Sequence, residues 1–169
     1  FTVQTKLRID HNRFYGKSTG GVYIWDRLIA NGVVDHNTFD GGDTHLRAIA
    51  GADYAQGWWT TSPQNIWTPG TGVGLYLENN TFNLTLSASN LQLTDTYDSG
   101  GKYIYRYNLI TSTKEGQALF DMHGNQSVSN GSFGGEIYGN RIEFASSAGV
   151  IYKTRGGSSF VFNNSIVGT

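Results

Sequence analysis

The chain has 169 residues and a formal net charge of −1, with 15% charged and 14% aromatic residues. Low charge with many aromatic residues excludes a disordered tail, the interspersed charges argue against a nucleic-acid surface, and no apolar run is long enough for a membrane-spanning helix. The length predicts one domain over residues 1–169, and the lack of cysteine excludes a disulfide scaffold, a thiolate metal site and a cysteine nucleophile.

A short motif recurs six times along the chain. Each copy consists of a strand-like segment, an asparagine, one further residue and a large apolar residue. The six asparagines are Asn12, Asn37, Asn80, Asn108, Asn140 and Asn164. Their spacings are 25, 43, 28, 32 and 24 residues, which indicates a repeat of about 24 residues that insertions lengthen.

A second apolar segment follows each of the first five motifs, at residues 21–26, 45–51, 90–95, 118–124 and 149–156. These segments alternate with a period of two, glycine pairs separate them, and no amphipathic helix pattern is present. The sequence therefore predicts an all-β parallel solenoid of about six coils, in which the asparagines stack as a ladder at about 4.8 Å. An asparagine at such a turn also tolerates unusual φ and ψ angles. Tight turns of a β-sandwich are the alternative explanation of the motif.

The repeated pattern, which runs from Leu7 to Ile166, resembles the right-handed parallel β-helix proteins of the pectate-lyase-like superfamily. The resemblance implies a right-handed parallel β-helix with an asparagine ladder. It also implies an extracellular or cell-surface protein, because that superfamily contains polysaccharide lyases, polygalacturonase-type hydrolases, phage tailspikes and adhesins. In the lyases, the sugar groove lies on the sheet that follows the ladder turn and on its neighbouring strand.

Alternation in the strand before each ladder asparagine assigns the side chains to two faces. The residues three positions before the asparagine are predicted to face inward: Ile9, Val34, Leu77, Tyr105, Ile137 and Val161. The residues two positions before it are predicted to face outward: Asp10, Asp35, Glu78, Arg106, Tyr138 and Phe162. His11 and His36 are predicted to stack on each other as turn residues rather than to act as metal ligands.

Three of the outward residues form a predicted column of carboxylates: Asp10, Asp35 and Glu78. Like charges about 5 Å apart raise one another's pKa or recruit a cation. The column is therefore a candidate Ca²⁺ site, or an acid and base for glycoside hydrolysis. The alternative is a solvated face on which Glu78 pairs with Arg106 and Arg8 eases the charge of Asp10.

The second segments place a further set of side chains outward if their apolar residues face the core. The set comprises Tyr23, Trp25, Arg47, Gln92, Thr94, Asp121, His123, Lys153 and Arg155. Tyr23, Trp25 and Arg47 are candidate substrate-binding residues, because exposed aromatic side chains are unfavourable unless something covers or binds them.

Four charged residues on adjacent coils form the candidate catalytic group: Asp121, His123, Lys153 and Arg155. The repeat predicts that Asp121 lies beside Lys153 and that His123 lies near Arg155. His123 or Lys153 could take the proton α to a uronate carboxylate, and Arg155 could neutralise that carboxylate. Because this face offers a single acid, lyase chemistry is favoured over hydrolysis. The alternative is two cross-coil ion pairs on a surface strand.

The long insertion at residues 52–71 carries Trp58, Trp59 and Trp67. Their flat rings suit stacking on sugars, and their alternative role is to cover the side of the solenoid. The repeat is interrupted at both ends of the chain, which predicts that the chain is a section of a longer protein. Flanking domains or further copies of the chain are then expected to cover the ends.

These patterns favour an extracellular polysaccharide-recognising β-helix protein, with lyase action on acidic glycans as its enzymatic form. The alternative function is a non-catalytic adhesin, a tailspike-like protein or a structural appendage module. Polysaccharide is the expected partner in either case, and neither nucleic acid nor a membrane is expected.

Overall fold

A computed structural model describes residues 7–15, 22–26, 32–41, 44–48, 75–84, 93–95, 102–112, 119–122, 134–144, 151–154 and 158–168. The described residues form seventeen strands, β1 to β17, without a helix. Within these ranges there is accordingly no helix with the length and apolarity needed to span a membrane. The predicted tryptophan insertion at residues 52–71 lies outside the described residues.

Two six-stranded sheets account for most of the strands. The first sheet contains β1 (Leu7–Asp10), β4 (Gly32–Asp35), β7 (Leu75–Glu78), β10 (Lys102–Arg106), β13 (Gly134–Tyr138) and β16 (Ser158–Phe162), in that spatial order. The second sheet contains β2 (Arg13–Tyr15), β5 (Thr38–Gly41), β8 (Thr81–Leu84), β11 (Leu109–Ser112), β14 (Arg141–Phe144) and β17 (Ser165–Gly168), again in chain order.

A third side of the molecule is formed by the remaining five strands. The third sheet contains β9 (Thr94–Asp95), β12 (Phe120–Met122) and β15 (Tyr152–Thr154), and a separate pair joins β3 (Val22–Asp26) to β6 (Thr44–Ala48). Strand β6 contacts β9, so the pair and the third sheet follow each other along the molecule. Every strand pair in the described parts of the chain is parallel and joins successive turns of the chain. This is a parallel β-helix of six coils, as the repeat predicts, and not a β-sandwich.

The core consists of residue rows that stack from coil to coil. In the inward row of the first sheet, Val34, Leu77 and Tyr105 are at most 1% exposed. The second sheet adds stacked rings, with Phe39 centred 4.9 Å from Phe14 and 4.8 Å from Phe82. The predicted inward direction is thus confirmed in the interior coils. Burying such side chains is the main source of stability in a solenoid, because each coil can cover its apolar face only against its neighbours.

The asparagine ladder runs unbroken through all six coils. Each ladder asparagine donates from its backbone N and from Nδ2 to Oδ1 of the next, at 2.9–3.2 Å, along the order Asn12, Asn37, Asn80, Asn108, Asn140 and Asn164. The second Nδ2 proton of the later five asparagines binds a backbone carbonyl of the preceding coil, at 2.8–3.0 Å. The predicted ladder is therefore confirmed, and its amides satisfy polar groups that would otherwise be buried without partners.

The strained backbone position is not the ladder asparagine, where the sequence reasoning put it, but the residue before it. That residue has a φ of 53–65° in all six coils: His11, His36, Asn79, Tyr107, Gly139 and Asn163. Only glycine adopts this left-handed conformation without cost, and asparagine and histidine tolerate it better than most residues. The prediction failed because the ladder asparagine needs a regular backbone to aim its amide along the stack.

Candidate functional site

The carboxylate column exists, but its charges are already paired. Strand register places Asp35 beside both Asp10 and Glu78. Arg8 bridges the first two carboxylates, with Nε 3.5 Å from Asp10 Oδ2 and Nη2 3.2 Å from Asp35 Oδ2. Arg106 forms an ion pair with Glu78 from the next coil. These are the ion pairs that the solvated-face alternative predicts.

Histidines complete the first two coils of this face. The rings of His11 and His36 stack with centroids 5.1 Å apart and planes 3° from parallel, so their predicted stacking is confirmed. Each Nδ1 lies within hydrogen-bonding distance of the preceding carboxylate, at 3.1 Å from Asp10 and 2.9 Å from Asp35. The hydrogen bond from His11 lowers the pKa of Asp10 most, burial opposes it, and Arg8 lowers the pKa further.

Asp35 is the most enclosed member of the column, with a side chain that is 7% exposed. Its Oδ2 receives Arg8 and His36, whereas its Oδ1 is buried and has no hydrogen-bond partner. In the described parts of the chain, no group of three His, Cys, Asp or Glu residues is placed to hold a metal ion. The Ca²⁺ site at Asp10, Asp35 and Glu78 therefore stays a prediction, and the carboxylates would have to leave their arginines to form it.

A second arrangement on the same sheet centres on Arg106, and we call it the Arg106 cluster: Tyr76, Glu78, Arg106, Tyr107 and Tyr138. Arg106 donates from Nε to Glu78 and from Nη1 to the hydroxyl of Tyr138 at 3.1 Å. Its guanidinium carbon lies 4.7 Å from the ring centroid of Tyr76 and 5.7 Å from that of Tyr107. Such contacts between a cation and aromatic faces are attractive and hold the guanidinium in place.

The electrostatics of the cluster fix its charges. Burial alone would lower the pKa of Arg106, but the hydrogen bonds to Tyr138 and Glu78 outweigh burial and raise the pKa. Burial also raises the pKa of Tyr76, and this outweighs the opposite effect of Arg106. Arg106 therefore stays a cation and Tyr76 a neutral phenol at physiological pH.

Aromatic rings continue from the Arg106 cluster toward the last coil. Tyr107 meets Tyr138 edge-on at 5.8 Å, and Tyr138 stacks on Phe162 at 4.7 Å with ring planes 8° apart. Tyr107 is 55% exposed and Phe162 is 44% exposed. Exposed rings beside a fixed pair of charges form a surface that can contact both apolar and hydroxyl groups of one ligand.

The sequence reasoning did not identify this cluster as a site. It placed Arg106, Tyr138 and Phe162 on the outer face correctly, but it gave no role to Tyr76 or Tyr107. The signal that could have found Tyr107 is its position directly before a ladder asparagine, where the left-handed turn directs the side chain outward.

The candidate catalytic group is described only in part. Register places Asp121 directly beside Lys153, as predicted. Lys153 is exposed and Asp121 is 1% exposed. His123 and Arg155 lie outside the described residues, so their predicted contact stays a prediction.

The third sheet also brings in a carboxylate that the sequence reasoning missed. Asp95 lies next to Asp121 in register, and Thr94 shares a row with the buried Phe120. The outward direction predicted for the Thr94 side chain stays a prediction, because the structure describes only the backbone register of Thr94. Strand β9 has only two residues, too few for alternation to fix its direction.

The predicted sugar-binding residues are described by backbone register alone or not at all. Register pairs Trp25 with Arg47 and Tyr23 with His45 on β3 and β6. Trp58, Trp59 and Trp67 lie outside the described residues.

No family model matches this chain, and no curated protein or solved structure matches it. The class of protein is defined by the fold alone, which is a parallel β-helix with an asparagine ladder.

Proposed function

We propose that this protein is a polysaccharide-recognising β-helix of the pectate-lyase-like type that acts outside the cell or at its surface. The observation that carries the proposal is the Arg106 cluster with its adjoining rings. A sugar ring has an apolar C–H face and an edge of hydroxyl groups. Tyr107 and Phe162 offer exposed rings to the face, and the paired Arg106 and Glu78 offer donors and acceptors to the hydroxyls.

The geometry also suits an extended ligand. Tyr107, Tyr138 and Phe162 lie on three successive coils, so their rings follow one another along the solenoid axis. A polysaccharide chain lying along this axis would meet an aromatic surface at each step. Contacts within the protein already hold Arg106 in place. Binding a ligand therefore costs this side chain little further conformational entropy.

The test is binding to a panel of neutral and acidic polysaccharides, measured by calorimetry or affinity electrophoresis. Tyr107→Asn removes the ring and keeps a residue that tolerates the left-handed turn. We expect it to weaken binding by roughly 2- to 12-fold, since an aromatic contact contributes about 0.5–1.5 kcal/mol.

Tyr15→Ala is the matched control, because Tyr15 is 73% exposed but lies on the second sheet, away from the cluster. Its binding should equal that of the unaltered protein. An equal loss in both variants, or no binding to any polysaccharide of the panel, would refute the proposal.

Lyase action on uronate polymers is a second candidate, favoured by the register of Asp121 with Lys153. Lys153 would take the α-proton of a uronate, and a neighbouring cation would neutralise the substrate carboxylate as charge develops. The electrons of the broken C–H bond would form the new double bond as the bond to the leaving glycosidic oxygen breaks, and solvent water would give that oxygen its proton. Lys153→Met should then abolish the formation of unsaturated product, followed by its ultraviolet absorbance. Arg141→Met, which removes an exposed cation from the second sheet, should leave the rate unchanged.

Binding and turnover separate the two candidates. An enzyme produces unsaturated ends from a uronate polymer that it binds. An adhesin, a tailspike-like protein or an appendage module binds the polymer and leaves it intact. Binding without product would retain the recognition proposal and remove the lyase.

A further inference from the structure

The charge of the Arg106 cluster is already matched within the protein. Nε and Nη2 of Arg106 both contact Oε2 of Glu78, and Nη1 donates to the hydroxyl of Tyr138 at 3.1 Å. The rings of Tyr76 and Tyr107 lie 4.7 Å and 5.7 Å from the guanidinium carbon. A carboxylate binds arginine most tightly through two parallel N–H···O bonds to one edge of the guanidinium. Glu78 takes one of the two edges that could supply such bonds, and Tyr138 takes a nitrogen of the other.

A ligand carboxylate that displaced Glu78 would leave an unpaired charge on this face. The Glu78 side chain is only 19% exposed, and strand register places it beside Asp35. Arg8, one coil further on, is already paired with Asp35. Lys102 lies at the opposite end of β10, four residues from Arg106 and roughly 13 Å along the strand. Of the described cations on this sheet, two are thus paired and the third is distant, so a ligand carboxylate beside Glu78 would meet mainly like charge.

A sugar hydroxyl suits the same groups, because it donates as well as accepts. Glu78 keeps lone pairs beyond those that Arg106 uses, since a carboxylate accepts at about four sites. Arg106 donates to the oxygen of Tyr138, so the phenol keeps its own proton for a ligand oxygen. A uronate carboxylate has no proton to donate at neutral pH and therefore cannot form the bond to Glu78.

We propose that the Arg106 cluster selects neutral polysaccharides and discriminates against uronate polymers. The ligand places a hydroxyl group against Glu78 and the face of a sugar ring on Tyr107, which is 55% exposed. This inference rests on the proposed recognition of polysaccharides and names the class of glycan that the first sheet recognises. The lyase candidate is a separate matter, because its residues lie on the third sheet.

The test compares soluble glucan, galactan and mannan, each with its own form oxidised at C6, so that the two ligands of a pair differ in a hydroxymethyl group and a carboxylate. Binding is measured by calorimetry at about 20 mM salt, where charges are weakly screened. We expect a neutral polymer that binds the unaltered protein to bind at least about fivefold tighter than its oxidised form, the factor for one like charge about 4 Å away in water. At about 300 mM salt this ratio should shrink, because screening weakens the repulsion.

Glu78→Gln removes the carboxylate charge and keeps an oxygen that accepts from Arg106. The ratio of neutral to oxidised affinity should fall by about fivefold or more in this variant, because Arg106 becomes an unmatched cation. Glu143→Gln is the matched control, since it makes the same change of charge next to Arg141 on the second sheet. The control should leave the ratio unchanged.

The outcomes separate this inference from the function on which it rests. Equal or tighter binding of the oxidised forms by the unaltered protein overturns the neutral selectivity and leaves polysaccharide recognition in place. Equal changes of the ratio in Glu78→Gln and Glu143→Gln also overturn it, because net charge would then act without the cluster. If Glu78→Gln loses its thermal unfolding transition, the unaltered protein decides, and a ratio that salt does not change overturns the inference. Absence of binding to every polymer refutes the proposed function itself.

Discussion

The side chain of a single ladder asparagine forms four hydrogen bonds, and no other side chain can form all four at this position. Nδ2 of Asn108 donates to Leu77 O at 2.8 Å and to Asn140 Oδ1 at 2.9 Å. Its Oδ1 accepts from the backbone N of Asn80 at 2.9 Å and from Nδ2 of Asn80 at 3.2 Å. Aspartate has no donor and serine cannot reach both coils, so the amide itself is required at this position.

Replacing Asn108 should therefore destabilise the protein strongly. Asn108→Ala removes the partner of buried donors and acceptors on the two neighbouring coils, and each buried group left without a partner costs about 1–3 kcal/mol. We expect the free energy of unfolding in urea to fall by about 3 kcal/mol or more. Asn12→Ala is the control, because Asn12 is exposed and water can replace its bonds; its loss should be about 1 kcal/mol or less. Equal losses would mean that the ladder is not held by burial.

The ladder could be predicted from sequence because asparagine recurs at the same position of each repeat. The left-handed residue before it could not, because His, Asn, Tyr and Gly share no side-chain property that marks the turn. Gly139 shows how the constraint acts in space: a Cβ there would lie 2.8 Å from the ring of Tyr107 on the preceding coil. The turn is thus defined by the backbone and by the neighbouring coil, and neither is visible in a single repeat.

At the level of strands, an ionic contact joins three coils of the second sheet. Arg13 on β2 donates from Nε to Asp40 on β5 at 2.7 Å, and Nδ2 of Asn83 on β8 donates to the same carboxylate at 2.6 Å. The hydrogen bond from Asn83 lowers the pKa of Asp40 most, burial opposes it, and Arg13 lowers the pKa further. The native state therefore keeps this carboxylate ionised at a lower pH than the unfolded chain does.

This shift predicts part of the acid sensitivity of the protein. Because the unfolded chain binds the proton more readily, the contribution of Asp40 to stability is complete above its unfolded pKa and is lost as pH falls through its native pKa. The unfolding temperature, followed from about pH 6 to pH 2, should show a smaller acid decline in Asp40→Asn than in the unaltered protein. Asn83→Leu keeps the carboxylate without its main donor, so the native pKa of Asp40 moves toward the unfolded one, and the acid decline should be smaller than in the unaltered protein and end at higher pH. An unchanged acid decline in Asp40→Asn would contradict this account.

Strand alternation predicted the outer face of the first sheet well, including the pairing of Glu78 with Arg106. Alternation could not predict the contacts of the Arg106 cluster, because Tyr76 and Tyr138 belong to coils that repeats of unequal length separate from Arg106. Tyr107 adds its ring through the turn and not through the strand. The period of two assigns a face to each residue, but contacts across the sheet depend on a register that insertions obscure.

At the scale of the whole molecule, each coil contacts only its neighbours, so stability should depend on position along the solenoid. An interior coil is covered on both sides, and an end coil is covered on one. The ladder supplies five amides in the same local geometry for measuring this: Thr38, Thr81, Leu109, Arg141 and Ser165. Each donates to the carbonyl of a ladder asparagine on the preceding coil, at 2.8–2.9 Å. Differences in their hydrogen exchange therefore report position rather than hydrogen-bond length.

We expect Leu109 and Thr81 to exchange most slowly and Ser165 to exchange fastest, by about tenfold or more after correction for intrinsic rates. The physical reason is that opening β17 uncovers residues that are already exposed, such as Ile166, whereas opening β11 uncovers Ile110, which is fully buried. The measurement is amide hydrogen exchange followed residue by residue. Equal protection at all five amides would instead show that the six coils open as one cooperative unit.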